Sequence, residues 1–265
     1  MIIDLPPDLE RRFGGLRRLY GEEGYARLRA ARVAVVGLGG VGSWAVEALA
    51  RSGVAELTLI DLDHIAESNI NRQVQALGAT VGQAKAQALA QRVADIHPGC
   101  VLHVVEEFAA ADNWPALLPH AVDAVIDACD QVRAKQTLAT WALQQPLAER
   151  VAFVCVGAAG GKQLAHAVEI GDLAAATHDP LLAALRQRLR QHAAAARKGE
   201  LGVRCVFSRE SVRLPEGACD VDGNLNCHGY GSTVTVTASF GFAAAGDVIQ
   251  QLLHRPRKAS EKLPL

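Results

Sequence analysis

Residues 33–42 read VAVVGLGGVG, and this stretch decides the fold. Its first four residues form a continuous apolar run of strand length, typical of a strand buried on both faces of a parallel sheet. Residues 44–51, which follow the glycines, have helical composition. Glycines between a strand and a helix let the backbone approach a phosphate at the positive end of the helix. We therefore predict a phosphate loop made of Gly37, Gly39, Gly40, Val41 and Gly42. The alternative is that the glycines serve only a tight turn and close helix packing.

The pattern of strand and helix continues along the chain. We predict further strands at residues 57–61, 101–105, 124–126 and 151–156, with helices at 82–97 and 131–145. Beyond this region we predict a short strand at 166–170, a helix at 180–197, a strand at 203–207 and a final helix at 234–253. Alternation of this kind predicts an α/β fold, with a Rossmann-like, doubly wound and mostly parallel sheet.

The predicted organisation is a single domain over residues 1–265. It comprises an N-terminal arm (1–30), a nucleotide-binding core (31–157) and a C-terminal extension (158–265) that completes the substrate side. The chain is 50% hydrophobic and 21% charged, which is ordinary for a globular protein with a sizeable core. Its formal net charge of -1 exerts no general attraction on nucleic acid or membranes. A polyanionic partner would need a local basic patch.

The N-terminus has neither a basic segment nor a long apolar run, so we expect no signal peptide. We interpret the apolar residues 234–253 as a buried helix rather than a membrane segment. None of the six cysteines forms a C-x-x-C pair, so neither a zinc knuckle nor a redox pair is predicted. Reduced thiols and a cytoplasmic location are expected.

Polar residues follow several of the predicted strands. Asp61 ends the second strand, where an acid usually accepts hydrogen bonds from a ribose. A nicotinamide-dependent dehydrogenase would share that feature. Arg72 and Lys85 suit a triphosphate better, because they neutralise charge that develops on transfer. A carboxylate after residues 124–126 suits a Mg²⁺ ion that bridges phosphate oxygens.

Five short motifs carry a resemblance to a known family. They are Gly-x-Gly-Gly-Val-Gly-Ser (37–43), Asp-x-Asp (61–63), Asn-x-Asn-Arg-Gln (69–73), Val-Gly-x-x-Lys (81–85) and Asp-x-x-Asp (127–130). Together they span roughly residues 32–157 and resemble the ThiF/MoeB/ubiquitin-activating superfamily. The resemblance implies an ATP-dependent adenylating enzyme that uses Mg²⁺.

The resemblance also implies roles for individual residues. Asp61 would hold the ribose, and Arg72 and Lys85 the phosphates. Asp130 would hold the metal and, with Arg72 and Lys85, form the catalytic set. Asn71 and Gln73 would order the phosphate loop. Asp63 and Asp127 complete the predicted nucleotide-binding residues.

Further segments resemble one branch of that superfamily, the tRNA threonylcarbamoyladenosine dehydratases. They are residues 12–15, 18–21, 39–44, 172–173, 202–208 and 234–242. This branch implies adenylation of the threonyl carboxylate in the modified tRNA nucleoside, then cyclisation with release of AMP and pyrophosphate. One alternative is adenylation of the C-terminal glycine of a ubiquitin-like sulfur carrier. Another is a nicotinamide-dependent oxidoreductase, which would leave Arg72, Lys85 and Asp130 without phosphates or metal to bind.

The expected partners are a tRNA anticodon loop and a second copy of the chain in a homodimer. A sulfur-relay protein is a further candidate, and no membrane is expected. In related sulfur-carrier activators an arm arginine reaches the partner's ATP, and Arg17 or Arg18 could supply that charge here. Those enzymes usually also carry two C-x-x-C pairs, which this chain lacks.

The remaining candidates have ordinary structural interpretations. A cyclising dehydratase needs no covalent thiol, so neither Cys205 nor Cys227 is expected to be catalytic. We expect Cys100, Cys129 and Cys155 to belong to the core. The histidines His97, His103, His166 and His228 have no ligand-like spacing, so no metal role is predicted for them. A basic run could be a solvated face or a tRNA-backbone patch. Its members are Arg186, Arg188, Arg190, Arg197, Lys198, Arg204, Arg209 and Arg213.

Overall fold

A seven-stranded sheet forms the centre of the computed structural model, which describes residues 7–146, 150–192, 198–213 and 230–255. The strands are β1 (Arg32–Val36), β2 (Glu56–Ile60), β3 (Val101–Val105), β4 (Ala124–Asp127), β5 (Ala152–Val156), β6 (Val168–Asp172) and β7 (Arg204–Ser208). Their order is β3-β2-β1-β4-β5-β7-β6. Every neighbouring pair is parallel except β6 and β7. The predicted fold class is confirmed.

Helices cover both faces of the sheet. They are α1 (Leu9–Leu28), α2 (Gly42–Arg51), α3 (Lys85–Ile96), α4 (Val132–Gln144), α5 (Pro180–Gln191) and α6 (Val234–His254). One apolar layer joins the sheet to α2, α3 and α6, and a second joins it to α4 and α5. Residues 193–197, predicted to continue α5, lie outside the described residues.

The position of the site follows from the strand order. The chain adds strands on one side of β1 up to β3 and on the other side from β4 onward, so the strand order switches between the neighbours β1 and β4. In an open parallel sheet, ligands bind beyond the carboxyl ends of the strands at such a switch point. The glycine loop follows β1, Asp61 follows β2 and Asp130 follows β4. All three therefore meet at one edge.

The arm is a helix that packs on the body of the protein. Helix α1 contacts α6 and buries Phe13, Tyr25 and Leu28. Arg12 donates to the carbonyl oxygens of Asp95 and Ile96, which end α3. Such contacts satisfy carbonyls that have no partner within their own helix. Residues 7–30 are thus fixed to α3 and α6.

The two arm arginines differ in their surroundings. Arg17 pairs with Glu10 at 2.9 Å and with Glu22 at 3.2 Å, and it lies over the Tyr25 ring. Arg18 is exposed. Of these two arginines, Arg18 is therefore the one whose guanidinium makes fewer contacts with the described residues.

The extension beyond residue 157 completes the same sheet as the core. Strand β7 pairs with β5, and β6 closes the edge. Helix α6 packs across α2, β4 and β5. Among the described residues, no helix combines the length and apolar character needed to cross a bilayer.

Candidate nucleotide site

A cavity of about 210 Å³ opens at the carboxyl edge of the sheet. Nine of the predicted site residues line it: Gly37, Gly39, Gly40, Val41, Asp61, Asp63, Arg72, Lys85 and Asp130. Four others do not line it, namely Gly42, Asn71, Gln73 and Asp127. The contacts of these four show that they support the residues that do.

The glycine loop requires its glycines for steric reasons. Gly37 has φ of 87°, and a Cβ there would lie 2.8 Å from the Ala128 carbonyl oxygen. A Cβ at Gly42 would lie 1.8 Å from the Gly37 oxygen. Only glycine fits these two positions, because real Cβ atoms do not approach so closely.

The same loop offers unused hydrogen-bond donors. The N–H groups of Gly39, Gly40 and Val41 donate no hydrogen bond to any residue that the structure describes. Helix α2 begins next to them without a side-chain cap. Free N–H groups at the positive end of a helix bind anions such as phosphate.

Asp61 is a buried carboxylate that supports this loop. Its Oδ2 accepts from the Leu38 N–H at 2.6 Å, and its Oδ1 accepts from the Asp63 N–H at 2.8 Å. Burial raises the pKa of Asp61 above its ordinary value, although Lys85 and the two N–H groups oppose the shift. Each oxygen keeps a lone pair for a hydroxyl of a bound nucleotide.

Lys85 is the first residue of α3, and its ammonium group enters the cavity wall. Its Nζ is 2.7 Å from Asp63 Oδ2, and its N–H donates to the Asp63 carbonyl. The Lys85 side chain is buried, whereas that of Asp63 is half exposed. Asp63 therefore holds the lysine in position beside the phosphate loop.

Arg72 is positioned by contacts on both its side chain and its backbone. Its guanidinium donates to the Ser68 carbonyl at 2.7 Å and to Asn71 Oδ1 at 3.0 Å. Its own carbonyl accepts from the Trp44 indole at 2.9 Å. Asn71 in turn donates to the Ser232 carbonyl. Asn71 thus orients Arg72 from outside the cavity.

Gln73 lies buried beneath the phosphate loop. Its Oε1 accepts from Gln75 Nε2, which also donates to the Leu38 carbonyl at 2.9 Å. Gln75 was not among the predicted site residues. Its place in the loop support follows from the tertiary contact with Leu38, which lies 37 residues away along the chain.

The two aspartates after β4 have different environments. Asp130 is exposed, lines the cavity and has no hydrogen bond or ion pair with the described residues. Asp127 is fully buried and pairs with Lys135 at 3.1 Å. Predicted as a nucleotide-binding residue, Asp127 instead lies outside the cavity lining and anchors the β4–α4 turn through the Cys129 N–H.

Sequence reasoning missed Lys135, which no recognised motif contains. Its side chain is fully buried. Burial alone would lower the pKa of Lys135, but the charge of the Asp127 carboxylate outweighs that effect and raises it. The lysine therefore stays charged within the core.

The sequence analysis also did not predict the residues that form the far wall of the cavity. It is formed by Phe108 and Ala109 after β3, by Leu181 at the start of α5 and by Tyr230 and Thr237 near α6. These residues are scattered along the chain and share no motif. Much of this wall is apolar, which suits the ring of a nucleobase.

The cysteines occupy three kinds of position. Cys155 and Cys205 are fully buried, whereas Cys100 is only half buried. Cys129 lines the cavity and so is not purely a core residue, contrary to our expectation. Burial raises the pKa of Cys129 well above its ordinary value, so the thiol stays protonated. Cys227 lies outside the described residues.

The predicted basic run does not form one uniform patch. Arg204 pairs with Asp247 at 2.6 Å, and Arg209 pairs with Glu169 at 3.0 Å. Arg186 donates to the carbonyl oxygens of Leu173 and Ala176, while Arg190 and Arg213 make no ion pair with the described residues. Arg197 lies outside those residues. The run thus divides into paired arginines and a few available ones.

Comparison with known proteins identifies relatives over nearly the whole chain. Residues 14–263 match the sequence profile of the ThiF family. The chain is 39% identical to a tRNA threonylcarbamoyladenosine dehydratase of Haemophilus influenzae, over 93% of this chain and 95% of that one. It is also 39% identical to the Escherichia coli enzyme of that name, over 92% and 94%.

Comparison with solved structures identifies the same kind of enzyme. The crystal structure of the E. coli enzyme, TcdA, in complex with ATP superposes with a TM-score of 0.84 at 38% identity, covering 95% of this chain and 97% of that one. A molybdopterin-synthase adenylyltransferase of Salmonella typhimurium is 38% identical, but over only 44% of this chain and 46% of that one.

Proposed function

Because the chain belongs to the ThiF family, we propose that it is an ATP-dependent dehydratase acting on threonylcarbamoyladenosine in tRNA. One observation carries the proposal above all. Unused loop N–H groups, Arg72 and Lys85 converge on one cavity in a chain that resembles the dehydratases over more than nine-tenths of its length. The similarity to the molybdopterin-synthase adenylyltransferase stops at about half of the chain, which favours the tRNA substrate over a sulfur-carrier protein.

ATP fits the cavity with its triphosphate toward α2. The loop N–H groups and the α2 dipole would receive phosphate oxygens, and Arg72 and Lys85 would neutralise the remaining charge. Asp61 would accept hydrogen bonds from the ribose, and the apolar wall at Phe108 would contact the base. The E. coli relative has been solved with ATP and with AMP, which supports a nucleotide in this place.

Asp130 is the cavity residue that suits Mg²⁺. Asp130 presents an exposed carboxylate to the cavity without a partner among the described residues, and carboxylate oxygen is a ligand that Mg²⁺ prefers. When bound, the ion would neutralise charge between phosphate oxygens. Asp130 would hold it, and the buried Lys135–Asp127 pair would keep the Asp130 turn in position.

The reaction then needs two steps. The threonyl carboxylate attacks the α-phosphorus of ATP, a P–O bond forms and pyrophosphate leaves. A nucleophile in the same modified nucleoside next attacks the activated carbonyl carbon, the ring closes, and AMP and a proton leave. Arg72 and Lys85 stabilise the charge that builds on the phosphates. No protein nucleophile is required, which agrees with the burial of Cys205 and the raised pKa of Cys129.

A tRNA path leads away from the cavity. Pro180 and Val212 line both the cavity and a shallow groove that contains His178 and Arg186. A second groove continues from Arg186 to Arg190. We place the sugar-phosphate backbone of the anticodon loop along these grooves, because such loops are held by backbone contacts and stacking.

The oligomeric state, a protein partner and the cellular location are also part of the proposed function. We propose a homodimer, in which Arg18 of the arm is the candidate for reaching a partner's ATP. A sulfur-relay protein is the second candidate partner. We propose a cytoplasmic location, where the tRNA substrate would be modified.

A nucleoside assay tests the function. The protein, ATP and Mg²⁺ are incubated with tRNA that carries threonylcarbamoyladenosine, and the digested nucleosides are analysed by mass spectrometry. We expect a product lighter by one water, with one AMP and one pyrophosphate per conversion. Without ATP, or with NAD in its place, no product should form. Pyrophosphate release with a sulfur-carrier protein but not with tRNA would overturn the proposal.

A further inference from the structure

Three side chains converge at the outer edge of the sheet, away from the cavity. Glu56 begins β2, His103 lies in the middle of the edge strand β3, and His120 precedes β4. Glu56 Oε1 is 3.1 Å from His103 Nε2, and it also contacts His120 Nε2. One potential ligand atom of each residue lies within 4.8 Å of the others.

Hydrogen bonding does not account for this convergence. Glu56 Oε1 and His103 Nε2 are both buried atoms, and neither has a hydrogen-bond partner among the described residues. The two imidazole rings meet edge to face, with their centroids 5.4 Å apart. Both direct Nε2 at the same carboxylate oxygen. Buried polar atoms without a hydrogen bond are rare, and an ion held between them is one accepted explanation.

We propose that Glu56, His103 and His120 bind a single transition-metal ion, with Zn²⁺ as the best match. Zinc takes imidazole nitrogen and carboxylate oxygen at about 2.0–2.2 Å, which places ligand atoms about 3.4 Å apart. Small side-chain rotations reach that spacing from the present one. The histidine side chains are 30% and 38% exposed, so water can complete the coordination.

This metal site is separate from the nucleotide site. Glu56 begins β2 and Asp61 follows its end, so they are about 16 Å apart at the usual rise per residue. The ligand chemistry differs as well. Imidazole favours Zn²⁺ and similar ions, whereas Asp130 offers only the oxygen that Mg²⁺ prefers.

The bound ion would join two segments that the sheet alone does not connect. His120 lies in the connection between β3 and β4, whose first residues include Phe108 in the cavity wall. Coordination would tie the far end of that connection to β2 and β3. A metal that binds only the folded chain raises its thermal stability, so Zn²⁺ should raise Tm.

Calorimetry tests the site directly. Tag-free protein is stripped with a chelator, desalted and titrated with Zn²⁺ in the presence of excess Mg²⁺. We expect one equivalent to bind and Tm to rise. His120→Asn, at an exposed position, should weaken Zn²⁺ binding by about 100-fold or more, since even supporting residues of metal ligands contribute 10- to 100-fold. His166→Asn alters an exposed histidine elsewhere and should leave binding unchanged.

Co²⁺ spectroscopy separates this site from the thiols. Co²⁺ bound by two imidazoles and a carboxylate should show ligand-field bands without sulfur-to-cobalt charge transfer. His103→Gln should abolish these bands while ATP binding persists, which shows that the variant is folded. The proposal is overturned if wild type binds no Zn²⁺, if His120→Asn binds it as tightly, or if the Co²⁺ spectrum shows thiolate ligation.

Discussion

Arg72 and Lys85 are the cationic side chains that line the cavity among the described residues. Replacing either with alanine should lower turnover by about two to four orders of magnitude, as losing a contact to transition-state charge typically does. Folding should change little, because these charges belong to the ligand site. Steady-state pyrophosphate release measures the effect. Arg51→Ala removes an arginine whose partner is Glu47 on α2 and serves as the control. Full activity in Arg72→Ala or Lys85→Ala would place the triphosphate elsewhere.

Asp130 is the residue that we propose to hold Mg²⁺. Asp130→Asn should leave the apo fold intact and greatly weaken Mg²⁺-dependent activity, because an amide is a poorer and uncharged ligand for a hard cation. Turnover is measured against Mg²⁺ concentration for both proteins, with Asp112→Asn, an exposed aspartate outside the cavity lining, as the control. If the two Mg²⁺ curves coincide, Asp130 does not hold the ion.

The buried Lys135–Asp127 pair should matter for stability. Lys135→Met leaves the Asp127 carboxylate buried without its partner, which costs about 3–5 kcal/mol of unfolding free energy. Urea unfolding measures the loss. The double variant Lys135→Met/Asp127→Asn should recover much of it, because neutral replacement of a whole buried pair is often well tolerated. Equal instability of the single and double variants would contradict this account.

Helices α6 and α2 approach each other closely at one glycine of α6, Gly241. A Cβ at Gly241 would lie 2.5 Å from the Val41 carbonyl oxygen and 2.8 Å from Trp44 Cβ. Gly241→Ala should therefore destabilise the protein by about 1–3 kcal/mol and weaken ATP binding, because α6 would push on the phosphate loop.

Gly246 is a matched control in the same helix. A Cβ there meets nothing within 4 Å, and the position is exposed. Gly246→Ala should stabilise the protein by about 0.5–1 kcal/mol through helix propensity alone. Thermal unfolding of the two variants should thus shift in opposite directions. Shifts in the same direction would mean that the helix contact is not the cause.

At the scale of the whole molecule, tRNA binding should depend on salt even though the net charge is -1. The slope of log K against log[salt] should be about -0.7 to -0.9 per neutralised phosphate. The double variant Arg190→Gln/Arg213→Gln should make this slope shallower by up to the contribution of two phosphates, and ATP binding should be unchanged. Arg51→Gln should leave the slope as it is. Titrations at several salt concentrations measure the slopes, and identical slopes in all variants would show that neither Arg190 nor Arg213 contacts the tRNA backbone.

The sequence by itself determined the fold class and the family. Local patterns sufficed there, because a buried strand, a glycine turn and a helix leave a continuous signature, and the Asn-x-Asn-Arg-Gln and Val-Gly-x-x-Lys motifs distinguish a triphosphate site from a dinucleotide site. The predicted fold class and family are confirmed. The different surroundings of Asp130 and Asp127 could not be predicted from the sequence, since they depend on the buried Lys135.

Only the tertiary structure decided what depends on distant contacts. The apolar cavity wall joins Phe108, Leu181 and Tyr230, which no spacing along the chain connects. The histidines showed no ligand-like spacing, yet parallel strand pairing brings His103 to Glu56, and the return of the chain toward β4 adds His120. Short motifs predict the parts of the nucleotide site, because each part is a compact turn that can be read along the chain. A site made of single residues on separate strands leaves no such motif, because only strand order and register set the distances between its ligands.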